Sequence, residues 1–110
     1  MLVNFDQLQD LGDEPGVLVD LFGMFRVAAA ALLEEMGTAA ELRDATRVGE
    51  LAHEAKGAWG SLGIERMAQL ATEIEQAARQ ADWAGVETLR TDLAITFEQT
   101  GRAIEEHLRQ

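Results

Sequence analysis

The chain has 110 residues, which suits one domain over residues 1–110 with a modest core. It lacks cysteine, which excludes disulfides and cysteine-ligated zinc, and its two histidines are too few to favour a dedicated metal site. The net charge of −11 disfavours binding to nucleic acid or to an anionic membrane surface, and no apolar run is long enough to span a bilayer.

The spacing of apolar residues predicts five helices and no strand. A short first helix begins after Asn4, whose side chain can cap it, with Gln7 in capping-box register. Asp13 is a candidate N-cap for the second helix, which has Pro15 in its first turn and runs from about Glu14 to Leu42. Its inward positions keep a spacing of three or four residues: Leu18, Leu21, Phe22, Phe25, Ala29, Leu32, Met36 and Ala40.

The second helix could break at Gly37, a weak point for helix formation. Three more helices follow it. Asp44 is expected to cap the third helix, which covers about residues 45–60. The fourth runs from Ile64 to about Gln80, and Asp82 caps the last. Four long amphipathic helices joined by short turns pack most simply as an antiparallel up-down four-helix bundle. The fold class is therefore all-α, with the short N-terminal helix covering one end or side.

The third helix carries a histidine on its predicted water-facing side. Its apolar stripe consists of Val48, Leu51, Ala52, Ala55, Trp59 and Leu62. His53 falls about 140° away from that stripe at 100° per residue. Glycines occupy the positions four before, four after and seven after it (Gly49, Gly57 and Gly60), and Lys56 lies three after it. Each exposed helical glycine costs about 1 kcal/mol relative to alanine, so this bare surface suits a histidine that a large partner must reach.

Residues 53–63, HEAKGAWGSLG, resemble the histidine phosphotransfer (HPt) domain family of bacterial phosphorelays. The family pattern is a histidine, two residues, Lys-Gly, a turn of small residues, an apolar residue and a glycine. The resemblance extends over nearly the whole chain, because Phe25, Asp44, Leu70 and Ile74 also fit the family's flanking helices.

The sequence departs from the family pattern at two positions. Trp59 stands where the family usually has a small residue, and Ile64 replaces a commoner alanine. Helical angle puts Trp59 in the core, and Ile64 is expected there too, so neither departure is expected to touch the face that carries His53.

The resemblance implies that His53 accepts a phosphoryl group from a receiver-domain aspartate or a kinase and passes it to a response regulator. A neutral imidazole is a competent nucleophile near pH 7. Nε2 would attack, while Nδ1–H would donate to an acceptor that the family places at the position of Glu75. Lys56 would offset the phosphoryl charge, and Gly57 would let the receiver close over the ring. Gly60 is assigned to the same receiver-binding surface, with helix termination at a C′ residue as its alternative.

The partners implied are receiver domains of response regulators and hybrid histidine kinases. They would dock over His53 through apolar groups, with Leu8 and Leu11 of the first helix as candidates. The chain is expected to be monomeric and cytoplasmic, and not an enzyme in the strict sense, since it is itself substrate and product. No cofactor is expected on it, because the assisting Mg²⁺ would belong to the receiver.

Two other functions remain open from the sequence. One is a non-phosphorylated adaptor bundle that binds a receiver or kinase to regulate it, and the other is a structural bundle that oligomerises. Individual residues have alternatives too: Lys56 could be a solvated charge paired with Glu50, and Glu75 could be an ordinary surface glutamate. His107, in the last turn of the final helix, is interpreted as structural.

Overall fold

The computed structural model describes residues 1–12, 14 and 16–110. Within them the chain forms five α-helices and no strand, as predicted: α1 (Phe5–Gln9), α2 (Val17–Glu41), α3 (Ala45–Ser61), α4 (Glu65–Arg79) and α5 (Trp83–Leu108). Helix α2 begins at Val17 with Gly16 as its N-cap residue, so the predicted start at about Glu14 is three residues too early. The predicted roles of Asp13 and Pro15 lie outside the described residues.

The four long helices form an antiparallel up-down bundle. Each packs on two neighbours, with α2 and α4 both lying against α3 and α5, so their apolar stripes close around one core. The largest fully buried hydrophobic side chains are Met36, Val48, Leu51, Trp59, Ile64, Met67, Leu70, Ile74, Val86 and Leu93. The bundle measures 44 × 20 × 18 Å, and its long axis follows the 25 and 26 residues of α2 and α5.

The predicted weak point at Gly37 does not break α2, which continues without interruption to Glu41. Gly37 is buried, and a Cβ atom placed on it would lie 2.6 Å from Nη2 of Arg90 on α5. This atom is the far end of a flexible side chain, so the absent Cβ leaves room for the tip of Arg90, which could move aside for a small side chain.

Three helices end in the same way, each on a residue with left-handed backbone. Arg43, Gly63 and Ala81 have φ angles of 55°, 77° and 54°. After each, the next amide donates back to the last turn of the helix: Asp44 to Ala39 O at 3.0 Å, Ile64 to Trp59 O at 2.9 Å and Asp82 to Ala77 O at 2.9 Å. This is the Schellman arrangement. It shows that α3 ends at Ser61 with Gly63 as its C′ residue, so the alternative reading of Gly60 as the C′ residue is wrong.

The N-caps predicted for α3 and α5 are present. The Asp44 side chain accepts a hydrogen bond from Arg47 N at 3.0 Å, and Asp82 accepts one from Gly85 N at 3.0 Å. Each aspartate thereby satisfies a free amide in the first turn of its helix. Asp44 and Asp82 each come directly after a residue with left-handed backbone, Arg43 or Ala81. The end of one long helix and the beginning of the next are therefore joined by a short turn.

Hydrogen bonds connect α1 and the residue before it to the end of α3. Asn4 caps it as predicted, accepting from Gln7 N at 3.1 Å. The reciprocal half of the predicted capping box is wrong, because Gln7 Nε2 instead donates to Gly60 O at 2.8 Å and Ser61 O at 3.3 Å. The amide of Asn4 also donates to Gly63 O at 2.7 Å. Gly60 O also accepts from Gly63 N at 3.1 Å, so the bonds from α1 add a donor there and give Ser61 O and Gly63 O a partner at the end of α3.

Replacing Gly63 by alanine is expected to lower the free energy of unfolding by about 1–3 kcal/mol. Its φ angle is +77°, and an added Cβ would lie 2.9 Å from the backbone oxygen of Asn4, which cannot move freely. Urea unfolding measures the change. Gly101→Ala is the matched control: its Cβ would meet nothing within 4 Å inside α5, so a gain of up to about 1 kcal/mol is expected. Equal effects of the two substitutions would contradict this account.

Candidate functional site

The His53 side chain projects from the middle of α3 into solvent, where 68% of it is exposed. Its chain neighbours Leu51 and Ala52 are buried, as are Ala55 and Trp59 one turn further on. The helix thus divides as its periodicity predicts, with the apolar stripe in the core and the imidazole on the opposite face.

The backbone around His53 is uncovered. A Cβ atom added at Gly49, Gly57 or Gly60 would meet no other atom within 4 Å, and Gly57 and Gly60 are both exposed. These glycines are therefore not required by packing within the bundle, in contrast to Gly63, where an added Cβ would meet a backbone oxygen. Their absent side chains leave open space beside the ring.

One ring nitrogen of His53 lies against a buried carboxylate on the neighbouring helix. Oε2 of Glu75, on α4, is 3.3 Å from Nδ1, and only 9% of the Glu75 side chain is exposed. In the part of the chain that the structure describes, no hydrogen-bond partner approaches Nε2. The arrangement suits a tautomer with its proton on Nδ1 and a free electron pair on Nε2.

The structure adds a residue that was not predicted at this site. Nη2 of Arg79 lies 2.8 Å from the same Oε2 atom of Glu75, one turn later on α4. A glutamate followed four residues later by an arginine is a favourable pair on a helix, and this spacing could have identified it. Arg79 and Glu75 line one surface depression with His53, together with Gly49 and other residues at the start of α3.

Lys56, the single lysine of the chain, is exposed one turn after His53. It forms no ion pair with any residue that the structure describes. Its alternative partner Glu50 instead approaches Arg47, with 3.6 Å between Oε2 and Nη1. The alternative of an ion pair between Lys56 and Glu50 is therefore not observed.

The two docking candidates differ in exposure and position, because Leu8 lies in α1 and Leu11 lies two residues after its end. Leu11 is 42% exposed, but Leu8 is only 6% exposed and belongs to the core. The expectation that Leu8 is available for docking is wrong, because α1 turns this side chain inward to the apolar space that Leu62 and Ile64 also line. The apolar edge of α1 is thus used to cover the bundle.

The remaining aromatic and histidine residues have packing roles. Trp59 and Ile64 are buried, as expected at these two departures from the family pattern. The ring of His107 stacks on Phe5 with 4.4 Å between centroids, and its Nε2 lies 3.4 Å from Oε1 of Gln9. These contacts hold α1 against the end of α5, consistent with the structural interpretation of His107.

No cluster of three or more side chains suited to hold a metal ion occurs among the described residues. Over the same residues, none of the helices has the length and apolar character that crossing a membrane requires.

Comparison with known proteins places this geometry in context. The family model described as the Hpt domain matches residues 20–108, a range that includes both His53 and Glu75. Among solved structures, one described as a histidine-containing phosphotransfer protein from rice has a TM-score of 0.70 and 24% identity, over 99% of this chain and 85% of that one. At that identity the likeness shows a shared fold. No match to this chain was found among curated protein sequences.

Proposed function

Because the chain belongs to the Hpt domain family, which serves histidine phosphotransfer in two-component signalling, we propose that His53 carries the phosphoryl group. The observation that supports this most is the pairing of an exposed imidazole with a buried carboxylate, 3.3 Å from its Nδ1 atom. A carboxylate at this place suits a ring whose proton is on Nδ1 and whose Nε2 is free to react. The alternative of Glu75 as an ordinary surface glutamate does not agree with its burial.

In the proposed step, the Nε2 electron pair attacks the phosphorus of an aspartyl phosphate. The N–P bond forms, the P–O bond to the aspartate breaks, and the aspartate leaves as a carboxylate. The Nδ1 proton stays on the ring, which becomes positively charged, and the nearby Glu75 carboxylate offsets that charge. Attack by an acceptor aspartate reverses the step and restores neutral imidazole. The chain acts as a carrier, and the assisting Mg²⁺ belongs to the receiver.

The proposed partners are receiver domains of response regulators and hybrid histidine kinases. A receiver must bring its aspartate within bonding distance of Nε2, which requires a close approach of protein surfaces over α3. The open space at Gly49, Gly57 and Gly60 permits this approach, and Leu11 is an exposed apolar group two residues after the end of α1. The monomeric state of the chain stays a prediction.

Phosphotransfer from a panel of purified receiver domains tests this function. Each receiver is first labelled with ³²P from acetyl phosphate and then mixed with the chain. The expected result is a label on the chain that is lost in acid and retained in alkali, as for a phosphoramidate bond. Binding of a receiver without any transfer of label would favour the adaptor function. Self-association without receiver binding would favour the structural bundle.

Replacing Lys56 by glutamine is expected to slow transfer from a phosphorylated receiver by about tenfold, which corresponds to about 1.4 kcal/mol in the barrier. The exposed ammonium group is placed to offset phosphoryl charge, and it makes no ion pair among the described residues that would be lost with it. Single-turnover transfer measures the rate. Lys56→Arg should retain most of it, whereas Arg102→Gln, which removes a cation from α5, should leave the rate unchanged. A rate equal to wild type in Lys56→Gln would remove Lys56 from the mechanism.

A further inference from the structure

Two nitrogen donors converge on one oxygen atom of Glu75. Nδ1 of His53 lies 3.3 Å from Oε2, and Nη2 of Arg79 lies 2.8 Å from it. Because both distances end on the same atom, the two nitrogens are at most about 6 Å apart. The Glu75 side chain is buried, with 9% of its surface exposed, whereas 72% of the Arg79 side chain is exposed.

This geometry divides one negative charge between two groups. A carboxylate close to an imidazole favours the protonated ring, whereas a cation within about 6 Å disfavours it. Arg79 is permanently charged, so it both withdraws part of the Glu75 charge from His53 and places a like charge near the ring. Each effect acts in the same direction, against positive charge on the imidazole.

The other charged groups near His53 do not duplicate this arrangement. On α3, Glu50 lines the same depression but is paired with Arg47, and Lys56 lies one turn further along the helix. On α4, Glu75 and Arg79 are the charged residues lining the depression. Glu75 is the charged group in contact with the ring among the residues that the structure describes.

We propose that Arg79 is a positioning residue that acts through Glu75 to limit the positive charge of the His53 ring. The significance of this role rests on the proposed function, since the ring becomes charged when Nε2 carries the phosphoryl group and Nδ1 keeps its proton. Too strong a carboxylate partner would hold the ring in its protonated form, in which Nε2 has no electron pair for attack. Arg79 keeps the carboxylate oriented while reducing its effect on the ring.

The experiment is ¹⁵N NMR of the imidazole in the purified chain at a fixed pH at which the spectrum of the wild-type chain shows both the protonated and the neutral ring. Arg79→Gln is expected to raise the ratio of protonated to neutral His53 by roughly two- to fivefold, a modest change because Arg79 is mostly exposed. Arg79→Lys should restore most of the wild-type ratio. Arg102→Gln, which removes a cation elsewhere on the surface, should leave it unchanged.

A second background shows whether Arg79 acts through Glu75. Glu75→Gln keeps an acceptor but removes the charge, so the ratio should fall. In that background only the direct effect of the like charge remains, which is small for a mostly exposed cation, so Arg79→Gln should change the ratio by less than about 1.5-fold. No change on Arg79→Gln in the wild-type background would overturn the proposal. So would an equal effect in both backgrounds, since Arg79 would then act on the ring without Glu75.

This measurement is independent of phosphotransfer. Absence of a phosphoryl label on the wild-type chain would contradict the proposed function and leave the NMR ratios as they are. Conversely, unchanged NMR ratios would contradict the role of Arg79 while His53 could still be labelled. Circular dichroism checks the fold of each variant, and the exposure of Arg79 makes loss of folding unexpected.

Discussion

Replacing His53 by glutamine is expected to abolish phosphoryl labelling, with a decrease of more than about a thousandfold in transfer from any phosphorylated receiver. Glutamine offers no nucleophilic nitrogen, because the electron pair of its amide nitrogen is delocalised into the carbonyl group. The side chain at this position is largely exposed, so the fold should be retained. Transfer of ³²P, followed by separation of the proteins, measures the effect.

His107→Gln is the control for this experiment. His107 is the second histidine of the chain, and it lies in the last turn of α5, stacked on Phe5. Its replacement should leave the amount of label unchanged, at the expense of some contact between α1 and α5. Retention of label in His53→Gln, or its loss in His107→Gln alone, would contradict the assignment of the phosphorylated residue.

Replacing Gly57 by leucine is expected to reduce transfer from a phosphorylated receiver by at least about a hundredfold, without unfolding the bundle. A side chain on a helix leans toward the preceding turn, so leucine at this position would lie over the turn that carries His53. The bundle itself has room for it, since nothing lies within 4 Å of an added Cβ. The substitution thus obstructs the partner and spares the core.

A small phosphodonor separates obstruction from damage to the imidazole. Phosphoramidate can reach the ring without docking, so it should label His53 in Gly57→Leu at nearly the wild-type rate. Ala94→Leu, which adds the same side chain at an exposed position of α5, should transfer normally from the receiver. Normal transfer from the receiver in Gly57→Leu would show that the partner does not approach over this surface. Loss of both reactions would show that the leucine disturbs the ring itself.

Local sequence signals predicted most of the fold. Apolar spacing located the four long helices. Asp44 and Asp82 marked the beginnings of two of them, because a short polar side chain just before a helix can accept a hydrogen bond from an amide of its first turn. The same periodicity placed His53 in solvent and Trp59 in the core. The position of Glu75 beside the ring was expected from the family resemblance, whereas the sequence alone left open that it is an ordinary surface glutamate.

Features that depend on contacts between distant residues were not predicted. Arg43 and Ala81 take left-handed backbone that usually favours glycine, because the packing of consecutive helices requires a tight helix end there. Gln7 was expected to complete a local capping box, but its amide reaches the end of α3 instead. The burial of Leu8 has the same cause, since the direction in which α1 lies on the bundle decides which of its side chains face inward.

The glycines of α3 lower the stability of the fold and leave the surface around His53 accessible to a partner. Gly49, Gly57 and Gly60 all lie within the helix without a packing reason for lacking a side chain. Together they forgo about 3 kcal/mol that three alanines would contribute, against a typical total of about 5–15 kcal/mol for a small domain. Selection for thermal stability alone would therefore favour residues with side chains at these three positions. The resulting bundle would be more stable, but its partners would reach His53 less easily.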